Sequence, residues 1–487
     1  MCPNLMDGFG FSQEEIDAAV RERGLLSIEI EFSLACNFRC PYCYNDRTEE
    51  SSPLTSREID DVLRQAKDLG ARKIIILGGE PMLYPEIQEK IAFIRAQGQS
   101  VEMFTNGTGM TPENARFMFD NGVAVVMKMN TFNPELQAQM AGHQDAPRII
   151  RTALENLQAA GYPAPGKRLA VSTVICRQNI AELPELWRWL RQKGIEPYFE
   201  MVTPQGRGRD AAWVTPASAG ELFNEIARID REEFGRDWAP QPPLVGNSCL
   251  RHRFSCLVTA EGTVMPCVGV TIPLGNIHET PLREILARSE VMENLRDFPS
   301  HIKSPCRECE KAGECYGCRG AAYQLTGDYL AADPLCWLHN GEHIQNLPAP
   351  AAAYVPHRPP VLMVDTLVSV GERCAELRAQ VSAGNLFLDE RGVLNEEAYI
   401  EIMAQAVAAL HGFGQTAQQR ANQRGMLAGA RNFVMSGEAR AGDTLDIHLN
   451  KIAKLDGFGV IEGVIKRGDT EIARGQLSTW HSDGATT

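Results

Sequence analysis

A chain of 487 residues with 44% hydrophobic and 23% charged side chains has globular composition, and it is long enough for several domains. A formal net charge of −14, with no local basic block, excludes a nucleic-acid-binding surface. The start "MCPNLMDGFG" has neither the basic end nor the apolar stretch of a signal peptide. The run "IMAQAVAALHGFG" is too short and too polar to cross a bilayer, so no membrane span and a cytoplasmic location are expected.

After an N-terminal lead-in (1–24), residues 25–240 alternate strand-like runs with amphipathic segments. "LLSIEIEFSL" precedes "TSREIDDVLRQAKDLG", where Ile59, Val62, Leu63, Ala66 and Leu69 share one helix face and Thr55 with Glu58 forms a capping box. "KIIIL", "VEMFT", "VAVVMKMN", "LAVSTVI" and "EPYFEMV" follow as strands with helical segments between them. Such repeats predict a parallel sheet with helices outside, an α/β partial (βα)6 TIM-like barrel whose ligand sites lie at the C-terminal strand ends.

Residues 246–340 are rich in Cys and Gly with short elements, and 341–352 read as a linker. Residues 353–487 have another pattern: a long apolar helix, "EEAYIEIMAQAVAALHGF", then alternating strands. Leu445, Ile447 and Leu449 face one way, and "GVIEGVIKRGDTEIARGQLSTW" reads as a hairpin turning at Gly468–Asp469. That pattern predicts a separate α+β domain.

Fourteen cysteines exceed what a reducing compartment tolerates unless most hold metal. Cys2, Cys176 and Cys374 stand alone, and the other eleven divide as three plus eight. "CNFRCPYC" carries Cys36, Cys40 and Cys43 behind the first strand, too few for a closed four-ligand zinc site. Together with "GGEP" after the second strand, this loop resembles the radical S-adenosylmethionine (SAM) enzymes, whose signature is Cys-x3-Cys-x2-Cys with an aromatic, here Tyr42, before the last Cys. The resemblance implies that the three thiolates hold a [4Fe–4S] cluster with one iron free to bind SAM. Gly78, Gly79, Glu80 and Pro81 then fall at the SAM amino group, and Thr105, Asn106 and Ser172 at further SAM contacts. The implied chemistry is reductive cleavage of SAM to a 5′-deoxyadenosyl radical that abstracts hydrogen from a substrate.

The other eight are Cys249, Cys256, Cys267, Cys306, Cys309, Cys315, Cys318 and Cys336. Cys249, Gly262 and Cys267 match Cys-x9–15-Gly-x4-Cys, and "CRECEKAGECYGC" matches Cys-x2-Cys-x5-Cys-x3-Cys except for a shorter last gap. This arrangement resembles the SPASM extension of radical SAM enzymes, which implies two auxiliary [4Fe–4S] clusters. By that resemblance Cys249, Cys256, Cys267 and Cys318 hold the first, and Cys306, Cys309, Cys315 and Cys336 the second. Two zinc sites are the alternative, but Cys309 and Cys315 stand closer together than zinc-ribbon knuckles do.

The tail resembles hotdog-fold 3-hydroxyacyl-carrier-protein dehydratases, through "PHR" (356–358) and "YIEIMAQAVAA". The resemblance puts Glu401 on their catalytic acid. It departs at Phe387, where that family has a His fourteen residues before the acid, and His357 is read as a structural residue of the strand lead-in. The tail is therefore expected to bind an acyl thioester or to dimerise, in preference to dehydrating. Hotdog domains pair, so a homodimer or a heterodimer with a separate hotdog protein is implied.

The fusion makes an acyl-carrier-protein-linked or other acyl-thioester chain the expected substrate of the radical, with a flavodoxin- or ferredoxin-type low-potential electron donor. Modification of a peptide or protein, as by SPASM maturases, is the rival reading. A third reads the tail as a non-catalytic dimerisation or acyl-binding module.

Overall fold

The computed structural model describes residues 10–45, 52–209, 213, 218–339, 348–370, 374–413, 425–455 and 458–481. Residues 341–347 of the expected linker lie outside these. The chain divides into two compact units, Met1–Gln324 with Asp328–Leu338, and Leu325–Gly327 with His339–Thr487.

In the first unit, β1 (Ser27–Glu31), β2 (Lys73–Leu77), β3 (Ser100–Thr105), β4 (Ala124–Lys128), β5 (Leu169–Ile175) and β6 (Glu196–Met201) pair in sequence order, all parallel. Each leads into helix, as the alternation predicts. The helix Ser56–Asp68 opens on the Thr55/Glu58 capping box and buries Ile59, Val62, Leu63 and Ala66. On one face of β1, Ile28 and Ile30 join the apolar core under the helices. The other face carries Glu29 and Glu31, both buried, and the inner charges are paired. Arg168 binds Glu102 and Glu196, each at 2.6 Å, and Arg251 binds Glu29 at 2.6 Å.

The six strands leave a gap between β6 and β1, and a single stretch of chain bonds to both sides of it. Met201 N donates to Pro243 O and Val245 N to Phe199 O, both at 3.0 Å. Further on, β7 (Leu257–Val258) pairs parallel to β1, with Glu29 N donating to Cys256 O at 2.9 Å. Between these anchors Arg251 donates to Glu29 on β1 and, at 3.1 Å, to Tyr198 Oη on β6. β8 (Thr263–Met265) and β9 (Gly275–Asn276) extend the sheet antiparallel to nine strands. The Cys-rich region thus shares one sheet with the barrel.

The second unit is a seven-stranded antiparallel sheet wrapped on the helix Glu396–Gly412. Its strands are β10 (Ala349–Pro350), β11 (Thr366–Val370), β12 (Cys374–Gln380), β13 (Gly425–Met435), β14 (Thr444–Leu455), β15 (Phe458–Arg467) and β16 (Thr470–His481), in the order β10-β11-β12-β14-β15-β16-β13. Leu445, Ile447 and Leu449 are buried together, and β15 turns into β16 at Gly468, where φ is +58°. This is the hotdog arrangement. β11 is the strand expected after "PHR", and β10, β12 and β13 are additions to the sequence reading.

Candidate active site in the barrel

The cysteine loop leaves the C-terminal end of β1 and is pressed against the turn that follows β2. Gly79 N donates to Ser33 O and Glu80 N to Ala35 O, both at 2.8 Å. A Cβ on Gly79 would stand 2.1 Å from Ala35 O, and one on Gly78 2.4 Å from Ser33 O, with φ at +123°. Only two glycines allow the backbones to meet this closely. The "GGEP" turn is thereby the seat of the residues leading into Cys36.

Glu80, expected to offer its carboxylate to a bound ammonium, turns it inward. Oε1 accepts from Thr105 Oγ1 at 2.6 Å and Met82 N at 3.1 Å, and Oε2 accepts from Asn106 N at 2.6 Å. Burial raises its pKa to about 7 against the effect of these bonds. Glu80 thus fastens the end of β2 to the end of β3. Pro81 is buried and starts the short turn beyond it. Asn106 carries the link to the loop: its Nδ2 lies 3.8 Å from Cys36 Sγ and donates to Asn37 Oδ1 at 3.1 Å. Asn37 in turn donates to Thr108 Oγ1 at 2.8 Å.

On the other side of the loop, Tyr42 is buried and its Oη accepts from Asn130 Nδ2 at 2.7 Å. Lys128, at the end of β4, stands 5.8 Å from the Tyr42 ring centroid and donates to Ser172 Oγ at 2.9 Å. Glu200 on β6 is 3.4 Å from the same ammonium. The expected residues therefore form two groups, Cys36–Asn106–Glu80–Thr105 and, joined through Lys128, Tyr42 with Ser172, all at or near C-terminal strand ends. Asn37, Thr108, Lys128, Asn130 and Glu200 escaped the sequence reading, since a polar residue at a strand end is too common a signal to single out.

Cys36 and Cys40 are part-buried, and burial raises both thiols, Cys40 to about 12 with the nearby Cys43 adding to it. A thiolate there needs positive charge, which iron provides. Three free thiols on one loop fit an iron–sulfur cluster.

The remaining cysteines sort by their neighbours. Cys267 Sγ accepts from Gly269 N at 3.3 Å and Val270 N at 3.4 Å, and Cys318 Sγ from Ala321 N at 3.3 Å. Burial pushes both thiols up to about 12; Cys318 adds to the shift at Cys267, as do Asp333 and Cys249 at Cys318. Burial likewise raises Cys306, Cys315 and Cys336, with Cys309 adding at Cys306, Cys306 at Cys315, and both Cys306 and Cys315 at Cys336. Asp333 joins the two sets, accepting from Cys318 N at 2.7 Å while its carbonyl accepts from Cys336 N at 3.1 Å. Cys256 stands apart. It is fully buried in the apolar core with Val258 and Val264, and the charges acting on it come from Arg296 and Glu29.

The sequence model of the Radical SAM superfamily matches residues 30–190. This chain is a radical SAM enzyme. An iron-sulfur cluster-binding (SPASM) domain matches residues 249–310, and an ApeP dehydratase domain matches residues 349–487. The radical SAM domain implies SAM and a [4Fe–4S] cluster. An AdoMet-dependent heme synthase of Methanosarcina barkeri is 28% identical over 64% of this chain and 96% of its own length. A PqqA peptide cyclase of Streptomyces rochei is 28% identical over 68% of this chain and 96% of its own. In fold, the enzyme is similar to SuiB of Streptococcus suis bound to the precursor peptide SuiA, with a TM-score of 0.51 at 16% identity, over 66% of this chain and 78% of that one. The dehydratase heterocomplex ApeI:P of Xenorhabdus doucetiae matches 28% of this chain and 91% of its own at 28% identity, with a TM-score of 0.26. No helix among the described residues is long and apolar enough to cross a membrane.

In the tail domain of this radical SAM enzyme, Glu401 lies on the helix Glu396–Gly412 and accepts from Gln405 Nε2 at 2.7 Å. His357 Nε2 stands 3.9 Å from Glu401 Oε1.

Proposed function

We propose that the radical SAM enzyme abstracts hydrogen from an acyl chain held as a thioester, on an acyl carrier protein or a smaller pantetheine carrier. The observation that carries this reading is the presence, in one polypeptide, of the Cys36–Cys40–Cys43 loop and an ApeP-type hotdog domain. Cys36, Cys40 and Cys43 would hold the cluster. When bound, cluster and SAM together supply a carbon-centred radical able to take hydrogen from an unactivated C–H bond. The chain's own part is placement: Asn106 and Asn37 steady the loop, and Lys128, Ser172 and Glu200 present polar groups to a ligand at the strand ends. Cys306, Cys309, Cys315 and Cys336 are suited to one auxiliary cluster and Cys249, Cys267 and Cys318 to a second. A flavodoxin- or ferredoxin-type protein would deliver electrons.

The test uses full-length protein reconstituted anaerobically, then supplied with SAM, dithionite and a perdeuterated acyl-pantetheine. About twelve irons are expected per chain, from three four-iron clusters. Deuterium should appear in 5′-deoxyadenosine. A Cys36→Ala, Cys40→Ala, Cys43→Ala variant should lose SAM cleavage and about four irons. Reconstituted enzyme that never cleaves SAM would remove the barrel reading, and cleavage without deuterium transfer would remove the acyl substrate. A second reading, peptide modification, draws on the similarity to PqqA peptide cyclase; a peptide supplied in place of the thioester discriminates the two.

The tail supports a pairing role as well. β13 ends its sheet, with Met426, Leu427 and Val434 exposed along it. A strand that ends its sheet in this way among the described residues is a template for another chain, either a second copy or a separate hotdog protein.

A further inference from the structure

We propose that Arg319 is the counter-cation of the auxiliary cluster read at Cys306, Cys309, Cys315 and Cys336, and that its charge raises the potential at which this cluster takes up an electron. The inference rests on the reading of those four cysteines as one ligand set. Arg319 follows Cys318 directly and opens the helix Arg319–Thr326. Its side chain is 1% exposed. A guanidinium so buried is costly unless anions or acceptors surround it. Nη1 donates to Tyr329 O at 3.1 Å and to Ala331 O, whereas Nε and Nη2 are buried and bond to nothing among the described residues. The helix gives no relief, since its N-terminus already carries partial positive charge.

The unengaged side of the guanidinium lies against the cysteine turn. Nη2 stands 3.2 Å from where a Cβ on Gly317 would sit, and Gly317 N donates to Cys315 Sγ at 3.3 Å. The guanidinium carbon is 5.9 Å from the centroid of the Tyr316 ring. Cys315, Tyr316 and Gly317 thus border the cation in turn. Burial raises the Cys306 and Cys315 thiols, Cys315 to about 11, and the charge of Arg319 acts against that rise at both. Asp333 lies across Gly317, its Oδ2 2.9 Å from the same Cβ position, but its oxygens are taken up by Cys318 N at 2.7 Å and Leu335 N at 2.9 Å. Arg251, whose charge acts at Cys267 in the other set, is held by Glu29 at 2.6 Å. Arg319 has no such carboxylate on its guanidinium, so its charge is left for the thiolates.

The sign of the effect follows from charge alone. Four thiolates give an oxidised four-iron centre two negative charges and the reduced centre three. A fixed cation nearby stabilises the reduced form more, and the potential rises. Arginine suits the task because it keeps its proton at any working pH. One electron enters, from the low-potential donor, and no bond is made or broken.

The experiment uses full-length protein carrying Cys36→Ala, Cys40→Ala and Cys43→Ala, reconstituted anaerobically so that only auxiliary centres remain, with about eight irons per chain. Dithionite titration with mediator dyes is followed by electron paramagnetic resonance. Adding Arg319→Gln should move one reduction wave to lower potential and leave the other in place. At a fixed potential its reduced-to-oxidised ratio should fall about tenfold, which is about 59 mV for a one-electron couple. Arg319→Lys, which keeps the charge, should titrate close to the parent. An Arg319→Gln protein that does not load iron is replaced by Arg319→Met; iron loading by Arg319→Lys alone among the three also supports a role for the charge. Both waves unmoved in Arg319→Gln at full iron content, or a shift in Arg319→Lys as large as in Arg319→Gln, overturns the proposal. A parent protein with about four irons or fewer overturns the auxiliary-cluster reading beneath it, a result distinct from unmoved waves at full iron.

Discussion

Cys256 and Cys267 belong to one cysteine-rich run, yet their sulfurs meet different surroundings. Cys267 Sγ receives two backbone N–H groups and neighbours Cys318, whereas Cys256 lies among valines in the core. Cys256→Ser should therefore leave the iron content of reconstituted protein unchanged, and Cys267→Ser should lower it by up to about four irons, read by iron and sulfide analysis. His252 makes a second prediction at this scale. It is fully buried, its Nδ1 is 2.8 Å from Tyr316 Oη, and burial, with Arg251 and Arg319 adding to it, lowers its pKa to about 3. A histidine depressed below its unfolded value contributes stability above pH 6.5 and loses it as pH falls toward 3. At pH 5 the loss relative to neutral pH is about 2 kcal/mol. His252→Gln should flatten the acid limb of a melting-temperature profile between pH 6.5 and 4. These distinctions were beyond the sequence. Spacing puts Cys256 among the ligands, and its burial with Val258 and Val264 in the apolar core is not readable from that spacing. The approach of His357 to Glu401 was likewise illegible, because the two lie on different elements and the glutamine beside Glu401 reads as an ordinary helix residue.

The long parallel strands and their helices were legible because each carries enough residues to display its period, as the helix Ser56–Asp68 does with four buried apolar positions and a capping box. β7 and β9 have two residues each and β8 has three, too few to show any alternation. Their pairing depends on Arg251 and on the backbone bonds to β1. The meeting of "GGEP" with the cysteine loop is an element-scale contact with a clear test. Gly79→Ala would drive a methyl to 2.1 Å from Ala35 O, a backbone atom that can move only with the loop. We expect a melting-temperature loss corresponding to at least about 1–3 kcal/mol, and loss of the four irons held by Cys36, Cys40 and Cys43 before any loss of the auxiliary iron. At the far end of the chain, Leu427→Lys on the exposed edge of β13 should turn a pairing protein into a monomer in light scattering without lowering its melting temperature.

At the scale of the whole molecule, two compact units share one chain without sharing a core: the main hydrophobic cluster of the first spans the barrel and its Cys-rich extension, and that of the second surrounds the helix of the tail. The family boundaries at 190 and 249 suggest detachable modules, and the hydrogen bonds of 243–258 to β6 and β1 say otherwise. A fragment stopping at residue 240 would lose the cross-brace of Arg251 and uncover two strand edges at once. Evolution could trade the tail for another domain by recombination, but it could shed the auxiliary cysteines only by rebuilding the wall of the barrel.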